Sequence, residues 1–234
     1  MKQYLTRRPW LSITPVTVLA GLLYASWPLG YWLNPVANRG LASDLEAAHQ
    51  PYNWVFISFD IVSGLLICIA SWWLLRRLRN AESRLLTYAM LGFGVFGLLT
   101  AIDALLPLDC VSANVGQCRS VWHDPYFIVH GVASIGSIAG LTLSIMCVWW
   151  LAMRDYHSAK HLSWVMHGAM AVWFGFGTVT FWLIMLSRSS TLAQHVFIVL
   201  CSVWVVSLPY LIWRYAFAVP PHPVKQVIKK SRDL

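Results

Sequence analysis

Residues 101–137 read AIDALLPLDCVSANVGQCRSVWHDPYFIVHGVASIGS, and this stretch decides how the chain folds. It leaves one apolar block at Leu106, crosses a polar loop and enters a second apolar block at Phe127. Both blocks are long enough and apolar enough to form helices that cross a bilayer. The stretch therefore predicts two membrane helices joined by a polar loop.

The rest of the chain has the same character. Of its 234 residues, 58% are hydrophobic and 11% are charged, with a mean hydropathy of +0.60. A soluble domain carries about 25% charged residues, so the composition indicates a polytopic membrane protein. We predict an all-α bundle of six transmembrane helices that forms a single domain over residues 1–234. The predicted helices are 13–33, 54–75, 85–106, 127–151, 162–186 and 196–217.

Basic residues are distributed unevenly between the predicted loops. Of the 17 Lys and Arg residues, all but Arg39, Arg119 and Arg188 fall on one side of the membrane. Because basic loops stay in the cytoplasm, we predict a bacterial inner-membrane protein with both termini cytoplasmic. The net charge of +8 then reflects topology and an affinity for anionic membrane lipids. Nucleic acid is not an expected partner, because a basic footprint would cluster on a folded surface.

Two of the five cysteines share the external loop of the opening stretch. Cys110 and Cys118 would meet an oxidising environment there, and we predict a disulfide bond between them. Two free thiols are the alternative. The remaining cysteines lie within predicted spans, where a thiol behaves as a small hydrophobic group.

Several ionisable side chains lie inside predicted spans. Such residues cost at least ~2.5 kcal/mol on insertion scales and therefore indicate function. Asp60, Asp103, His130 and His195 come from four helices at a similar outer depth, with His123 just above them. Imidazoles mixed with carboxylates are typical of a zinc site with an open position for water. We predict that the three histidines ligate zinc and that Asp103 or Asp60 acts either as the general base or as a group that orients a ligand.

Two serines complete the predicted catalytic group. Ser63 shares a helical stripe with Asp60, and Ser134 shares one with His130. Either hydroxyl could donate a hydrogen bond to an oxyanion, although ordinary helix packing is the alternative for Ser134. The whole polar cluster also has two simpler interpretations, which are a network that fixes helix register and a path for protons or ions.

Two stretches carry a resemblance to a known family. They are ASDLEAAHQPYNWVFISFDIVSGLLI (42–67) and LPLDCVSANVGQCRSVWHDPYFIVHGVASI (106–135). The first resembles the Gln-Pro-x-x-Trp-x-Phe and Asp-x-x-x-Gly pattern of the bacterial membrane family called domain of unknown function 998. The second resembles that family's Asp-Cys loop, second Cys and His-x-x-x-Ser helix. This resemblance implies a fold of six or seven helices and supplies no activity.

A more distant similarity concerns residue types alone. Alkaline ceramidases and adiponectin-receptor-like membrane hydrolases hold zinc with histidines, supported by Asp and Ser, inside a helical bundle. The last predicted helix offers only His195, so the His-rich terminal helix of that group is missing here.

Three functions remain open from the sequence. The first is a metal-dependent hydrolase of a lipid or lipid-linked substrate at the outer leaflet. The second is a non-catalytic membrane subunit, assembly factor or sensor that docks a membrane-protein partner through its helices and disulfide loop. The third is a haem b carrier with His130 and His195 as axial ligands.

Overall fold

A computed structural model describes residues 10–78, 83–108, 125–154, 164–173, 175, 177 and 191–214. The regular structure in these ranges is helical, which confirms the predicted all-α class. A further helix, α6, comprises residues 164–173. The other helices are α1 (Trp10–Tyr24), α2 (Gly30–Leu33), α3 (Asn53–Leu78), α4 (Arg84–Ala104), α5 (Pro125–Arg154) and α7 (Thr191–Trp213).

Four of these helices, α3, α4, α5 and α7, are long and apolar enough to cross a membrane. The bent pair of α1 and α2 adds a fifth span if the two are counted as one. The described residues thus form a helical membrane protein with four or five candidate spans. Of the predicted span 162–186, residues 164–173 are described, and they are helical. Both termini lie outside the described residues, so their cytoplasmic position remains a prediction.

The first predicted span, 13–33, is not one continuous helix. After α1 ends at Tyr24, a 3-10 turn at Trp27–Leu29 leads into α2, with a bend of 40°. Pro28 lies in that turn and has no backbone N–H to donate to the carbonyl of Tyr24, so the α-helical ladder stops there. The break places polar and aromatic residues of the turn beside the end of the bundle.

Glycine contacts hold the middle of the bundle together. A Cβ at Gly64 in α3 would lie 2.4 Å from the carbonyl oxygen of Gly97 in α4. A Cβ at Gly92 in α4 would lie 2.5 Å from the carbonyl oxygen of Gly140 in α5. Small residues allow helix backbones to approach this closely in membranes, where dispersion contacts drive association. Helices α3, α4 and α5 therefore pack as a row with little space between them.

The first and last described helices close this row into a ring. Helix α1 packs against both α3 and α7, and α7 also contacts α5. The contact between α7 and α5 includes a hydrogen bond from Trp204 Nε1 to Ser144 Oγ, 3.3 Å long. The bundle therefore surrounds one apolar core that includes the fully buried Phe93 and Phe96.

Residues 34–52, which we call the connecting segment, join α2 to α3. The segment contains two 3-10 turns, Ala37–Arg39 and Ala42–Leu45. Its later part is tied to the end of α4, since the backbone N–H of Ala48 donates to the carbonyl of Leu108 at 2.7 Å. The segment thus lies against the end of the bundle at which α4 ends.

The connecting segment is also bonded to the start of α7. The side-chain oxygen of Gln194 accepts a hydrogen bond from the backbone N–H of Ala42 at 2.7 Å. The hydroxyl of Thr191 donates to the carbonyl of Arg39, also at 2.7 Å. These two bonds link parts of the chain 152 residues apart and fix the segment over this end of the bundle.

Candidate functional site

A cavity of about 150 Å³ lies between the connecting segment and the helix ends beneath it. Three of its described lining residues are acidic, namely Glu46, Asp60 and Asp103. One is a histidine, His130, and none of the described lining residues is Lys or Arg. We call this space the acidic cavity. Its apolar walls come from Trp27, Phe56, Phe197 and Ile198, among others.

The imidazole of His130 is held through its Nδ1 atom. This atom lies 3.0 Å from the carbonyl oxygen of Leu106 and 3.1 Å from Asp103 Oδ1. Because a carbonyl oxygen only accepts hydrogen bonds, Nδ1 carries the hydrogen and donates it to Leu106. Asp103 Oδ1 then stabilises the ring by charge and is left without a hydrogen-bond donor among the described residues.

The other ring nitrogen of His130 is available for chemistry. With the hydrogen on Nδ1, the neutral ring carries a lone pair on Nε2. The described residues give hydrogen-bond partners to Nδ1 and none to Nε2. Because His130 is only 9% exposed and lines the acidic cavity, Nε2 can act there as a base or as a ligand.

Ser134 orients Asp103. It lies one helical turn after His130 on α5, and its hydroxyl donates to Asp103 Oδ2 at 2.8 Å. The predicted role of Ser134 as an oxyanion donor remains untested, but in this structure its hydrogen is given to a carboxylate. Ser134, Asp103 and His130 therefore form one chain of contacts between α5 and α4.

Glu46 and Asp60 form a second acidic group in the cavity. Both side chains line the cavity, and Asp60 is among the groups that raise the pKa of Glu46. Glu46 belongs to the connecting segment, and Asp60 lies two turns into α3. The cavity therefore brings a carboxyl group of the connecting segment and one of a helix to the same space.

Glu46 is the member of this pair outside the candidate spans, and its pKa is raised well above the usual 4.5. Burial is the main cause, since it penalises the charged carboxylate. The nearby carboxyl group of Asp60 raises the pKa further, and the charge of Asp103 adds to this. The cavity thus favours a proton or another positive group beside Glu46.

Two of the predicted site residues lie apart from this cavity. Ser63 is fully buried, and its hydroxyl donates to the carbonyl of Ala20 in α1 at 2.9 Å. His195 is 3% exposed and stacks on Trp27, with ring centroids 3.8 Å apart and planes 8° apart. Of the four residues expected to converge, the cavity brings together Asp60, Asp103 and His130.

The position of His195 bears on both predicted cofactors. Among the described residues, no group of three or more His, Cys, Asp or Glu side chains is arranged to hold a metal ion. The described lining of the cavity includes His130 but not His195, so these two imidazoles do not face a common space there. His123 and the predicted disulfide partners Cys110 and Cys118 lie outside the described residues, and these predictions remain as they were.

Glu46 and Gln194 are the site residues that sequence reasoning did not select. Glu46 lies in a loop, where a carboxylate is usually solvated, and no spacing marks it as part of a site. Its position in the first of the two family-like stretches, seven residues before Asn53, was the one available signal. Gln194 immediately precedes His195 and received no separate role.

Comparison with curated proteins and with solved structures found no match to this chain. The sequence model of DUF998, described as a protein of unknown function, matches residues 17–209. That range includes every described residue that lines the acidic cavity. It covers most of the 234 residues, so the chain belongs to the DUF998 family.

Proposed function

We propose that this protein is a membrane hydrolase in which His130, oriented by Asp103, activates a water molecule. The observation that carries the proposal is the pair of contacts at His130 Nδ1, 3.0 Å to Leu106 and 3.1 Å to Asp103. They leave Nε2 with a lone pair in a cavity large enough for water. A histidine with its Nδ1 side fixed and its Nε2 side free is the usual arrangement of a general base.

The reaction follows from these groups. Nε2 of His130 removes a proton from water while the water oxygen bonds to the carbonyl carbon of an ester or amide. The imidazolium is then stabilised by the carboxylate of Asp103, which Ser134 holds in place. When the tetrahedral intermediate collapses, the imidazolium returns the proton to the leaving oxygen or nitrogen, and His130 is neutral again.

The surroundings favour a lipid or lipid-linked substrate. The cavity lies at the ends of apolar helices, where headgroups meet acyl chains, and Phe56 and Phe197 form apolar walls beside its polar groups. The distribution of Lys and Arg supports an outer-leaflet location, because it leaves this end of the bundle on the less basic side.

The proposal is tested with purified protein in lipid nanodiscs and p-nitrophenyl octanoate as the probe. We expect His130→Gln to lower kcat/KM about 1,000-fold, in line with the loss of a general base. His167→Gln is the matched control, because His167 contacts Trp149 and Trp164 and does not line the cavity. Equal rates for the wild type and His130→Gln would overturn the proposal.

The same preparation tests the zinc site expected from the sequence. Elemental analysis of the wild type and His130→Gln measures the metal content of each. Stoichiometric zinc in the wild type that is lost in the variant would replace the base role of His130 with a ligand role. Equal metal content in the two, together with the loss of activity, supports the base role.

A further inference from the structure

The acidic cavity is lined by more groups that can become negative than groups that can become positive. Glu46, Asp60 and Asp103 line it, His130 is its one imidazole, and none of its described lining residues is Lys or Arg. A carboxylate in such a cavity is costly to bury unless a cation or a hydrogen-bond donor faces it.

Two buried atoms at the cavity also lack the partners that such atoms require. Asp103 Oδ1 has no hydrogen-bond donor among the described residues. Trp27 Nε1, in another residue that lines the cavity, has no acceptor among the described residues either. Buried polar atoms are nearly always satisfied in native proteins, so these two indicate that the cavity is occupied by water or a ligand when the protein works.

Aromatic rings surround the acidic groups. Tyr24, Trp27, Phe56 and Phe197 all line the cavity. Stacking on His195 at 3.8 Å fixes the indole of Trp27 in the wall. Aromatic faces attract organic cations, and a set of rings next to carboxylates is the usual way in which proteins bind ammonium groups.

We infer that the acidic cavity binds an alkylammonium group and that the substrate of the hydrolase proposed above carries this group. The carboxyl pair of Glu46 and Asp60 supplies the negative charge, and the aromatic walls supply a surface for the alkyl part. An organic cation fits this lining better than an inorganic one, because the rings offer no metal ligands and the described acidic and histidine side chains form no metal-binding group. The second half of this inference rests on the proposed function, whereas the binding of the cation does not.

Binding is measured by equilibrium dialysis of radiolabelled choline against the full chain in phosphatidylglycerol nanodiscs, which contain no amine headgroup. We expect choline to bind and its neutral isostere, 3,3-dimethylbutan-1-ol, not to compete. Glu46→Gln and Asp60→Asn should each weaken choline binding about tenfold or more, because each removes a carboxyl group that can ionise opposite the bound cation. Asp44→Asn is the matched control, since Asp44 lies in the same segment, is buried and does not line the cavity.

A second variant covers the case in which the acidic substitutions impair folding. Phe56→Leu keeps an apolar side chain but removes a ring, and we expect it to weaken choline binding about three- to fivefold. In this variant, too, the neutral isostere should not compete with choline. Equal displacement of choline by 3,3-dimethylbutan-1-ol would overturn the inference, and so would equal displacement by choline and by sodium ions.

Competition by a lipid that has an amine headgroup shows whether the ammonium group comes from a membrane lipid or from a soluble molecule. If phosphatidylethanolamine added to the nanodiscs displaces choline, the group is that of a membrane lipid. If it does not, the group belongs to a soluble molecule. Both results support an ammonium site.

Hydrolysis of octanoylcholine separates the two proposals. If His130→Gln binds choline normally and hydrolyses octanoylcholine as fast as the wild type, the base role fails and the ammonium site stands. If the wild type binds no choline but hydrolyses the neutral 3,3-dimethylbutyl octanoate with loss of rate in His130→Gln, the ammonium site fails and the base role stands.

Discussion

The middle of the bundle and its cavity end use the same helices in opposite ways. In the middle, α3 and α4 touch through Gly64 and Gly97 so closely that a Cβ at Gly64 would lie 2.4 Å from a backbone oxygen. One turn further along α3, the side chain at the same face is Asp60, which lines the acidic cavity together with Asp103 of α4. The tight contact between α3 and α4 therefore lies next to the acidic cavity, one helical turn away.

This difference indicates how a polar site is maintained in an apolar bundle. Close backbone contact supplies dispersion energy that does not depend on a hydrophobic driving force. At the cavity end, where that contact stops, hydrogen bonds from the connecting segment to α4 and α7 hold the parts together instead. The two regions should therefore respond differently to substitution.

The largest effect on stability is expected from a substitution in the middle of the bundle. Gly64→Ala introduces a Cβ against the backbone of Gly97 and against Ala101, so the helices must separate. We expect a loss of about 3 kcal/mol in the free energy of unfolding, the upper end for overpacked cores. The measurement is thermal or denaturant unfolding in nanodiscs, followed by circular dichroism.

Gly131→Ala is the control for this substitution. It lies on α5 near the cavity end, and a Cβ there meets no atom of the described residues within 4 Å. We expect stability equal to or slightly above that of the wild type, because alanine favours helix by up to about 1 kcal/mol over glycine. Equal destabilisation by the two substitutions would show that the glycine contact does not set the helix spacing.

A smaller effect on stability is expected from the loss of a hydrogen bond at the cavity end. Gln194→Ala leaves the N–H of Ala42 without its 2.7 Å partner, at a cost of about 2 kcal/mol that falls on the connecting segment. Hydrogen exchange should accelerate in residues 41–48 and not in α3 or α4. Ser202→Ala is the control, since among the described residues its hydroxyl donates to the carbonyl of Ile198 within the same helix, α7. Faster exchange throughout α3 and α4 would contradict this local role.

The smallest effect is expected at the cavity end, where the stability of the protein should depend on pH. Because the folded state raises the pKa of Glu46, it binds that proton more tightly than the unfolded chain does. The stabilisation is complete below the usual value of 4.5 and is lost as the pH rises through the raised pKa. Glu46→Gln should flatten this decline in the unfolding midpoint, whereas Gly131→Ala should retain it. A decline of the same size in Glu46→Gln would assign the proton to another group.

The spans were predictable because long apolar blocks admit few structures. The predicted helix 54–75 corresponds to Asn53–Leu78, and 127–151 to Pro125–Arg154. The break after Tyr24 was missed because hydropathy continues through Trp27 and Leu29, whereas the missing N–H of Pro28 ends the helix. Hydropathy therefore predicts where a chain can cross a membrane, and backbone chemistry decides whether it does so as one helix.

The candidate site was predictable only in part. Helical spacing and depth selected Asp60, Asp103 and His130, and the cavity contains all three. Depth alone could not separate Ser63 from them, because the direction of its hydroxyl toward α1 depends on which helix packs there. Glu46 could not be chosen from periodicity, since it lies in a segment whose path is set by hydrogen bonds to distant residues.

The ring formed by α1 and α7 also has a consequence for synthesis of the protein. Phe197 and Ile198 complete a cavity wall that begins at Tyr24, and Gln194 fixes the segment that carries Glu46. A ribosome makes these residues long after α1 has entered the membrane. Until α7 is inserted, the carboxyl groups have no enclosed space and the connecting segment lacks its bond to Gln194. Biogenesis therefore assembles the acidic cavity last, and a chain that stalls before α7 has helices but no site.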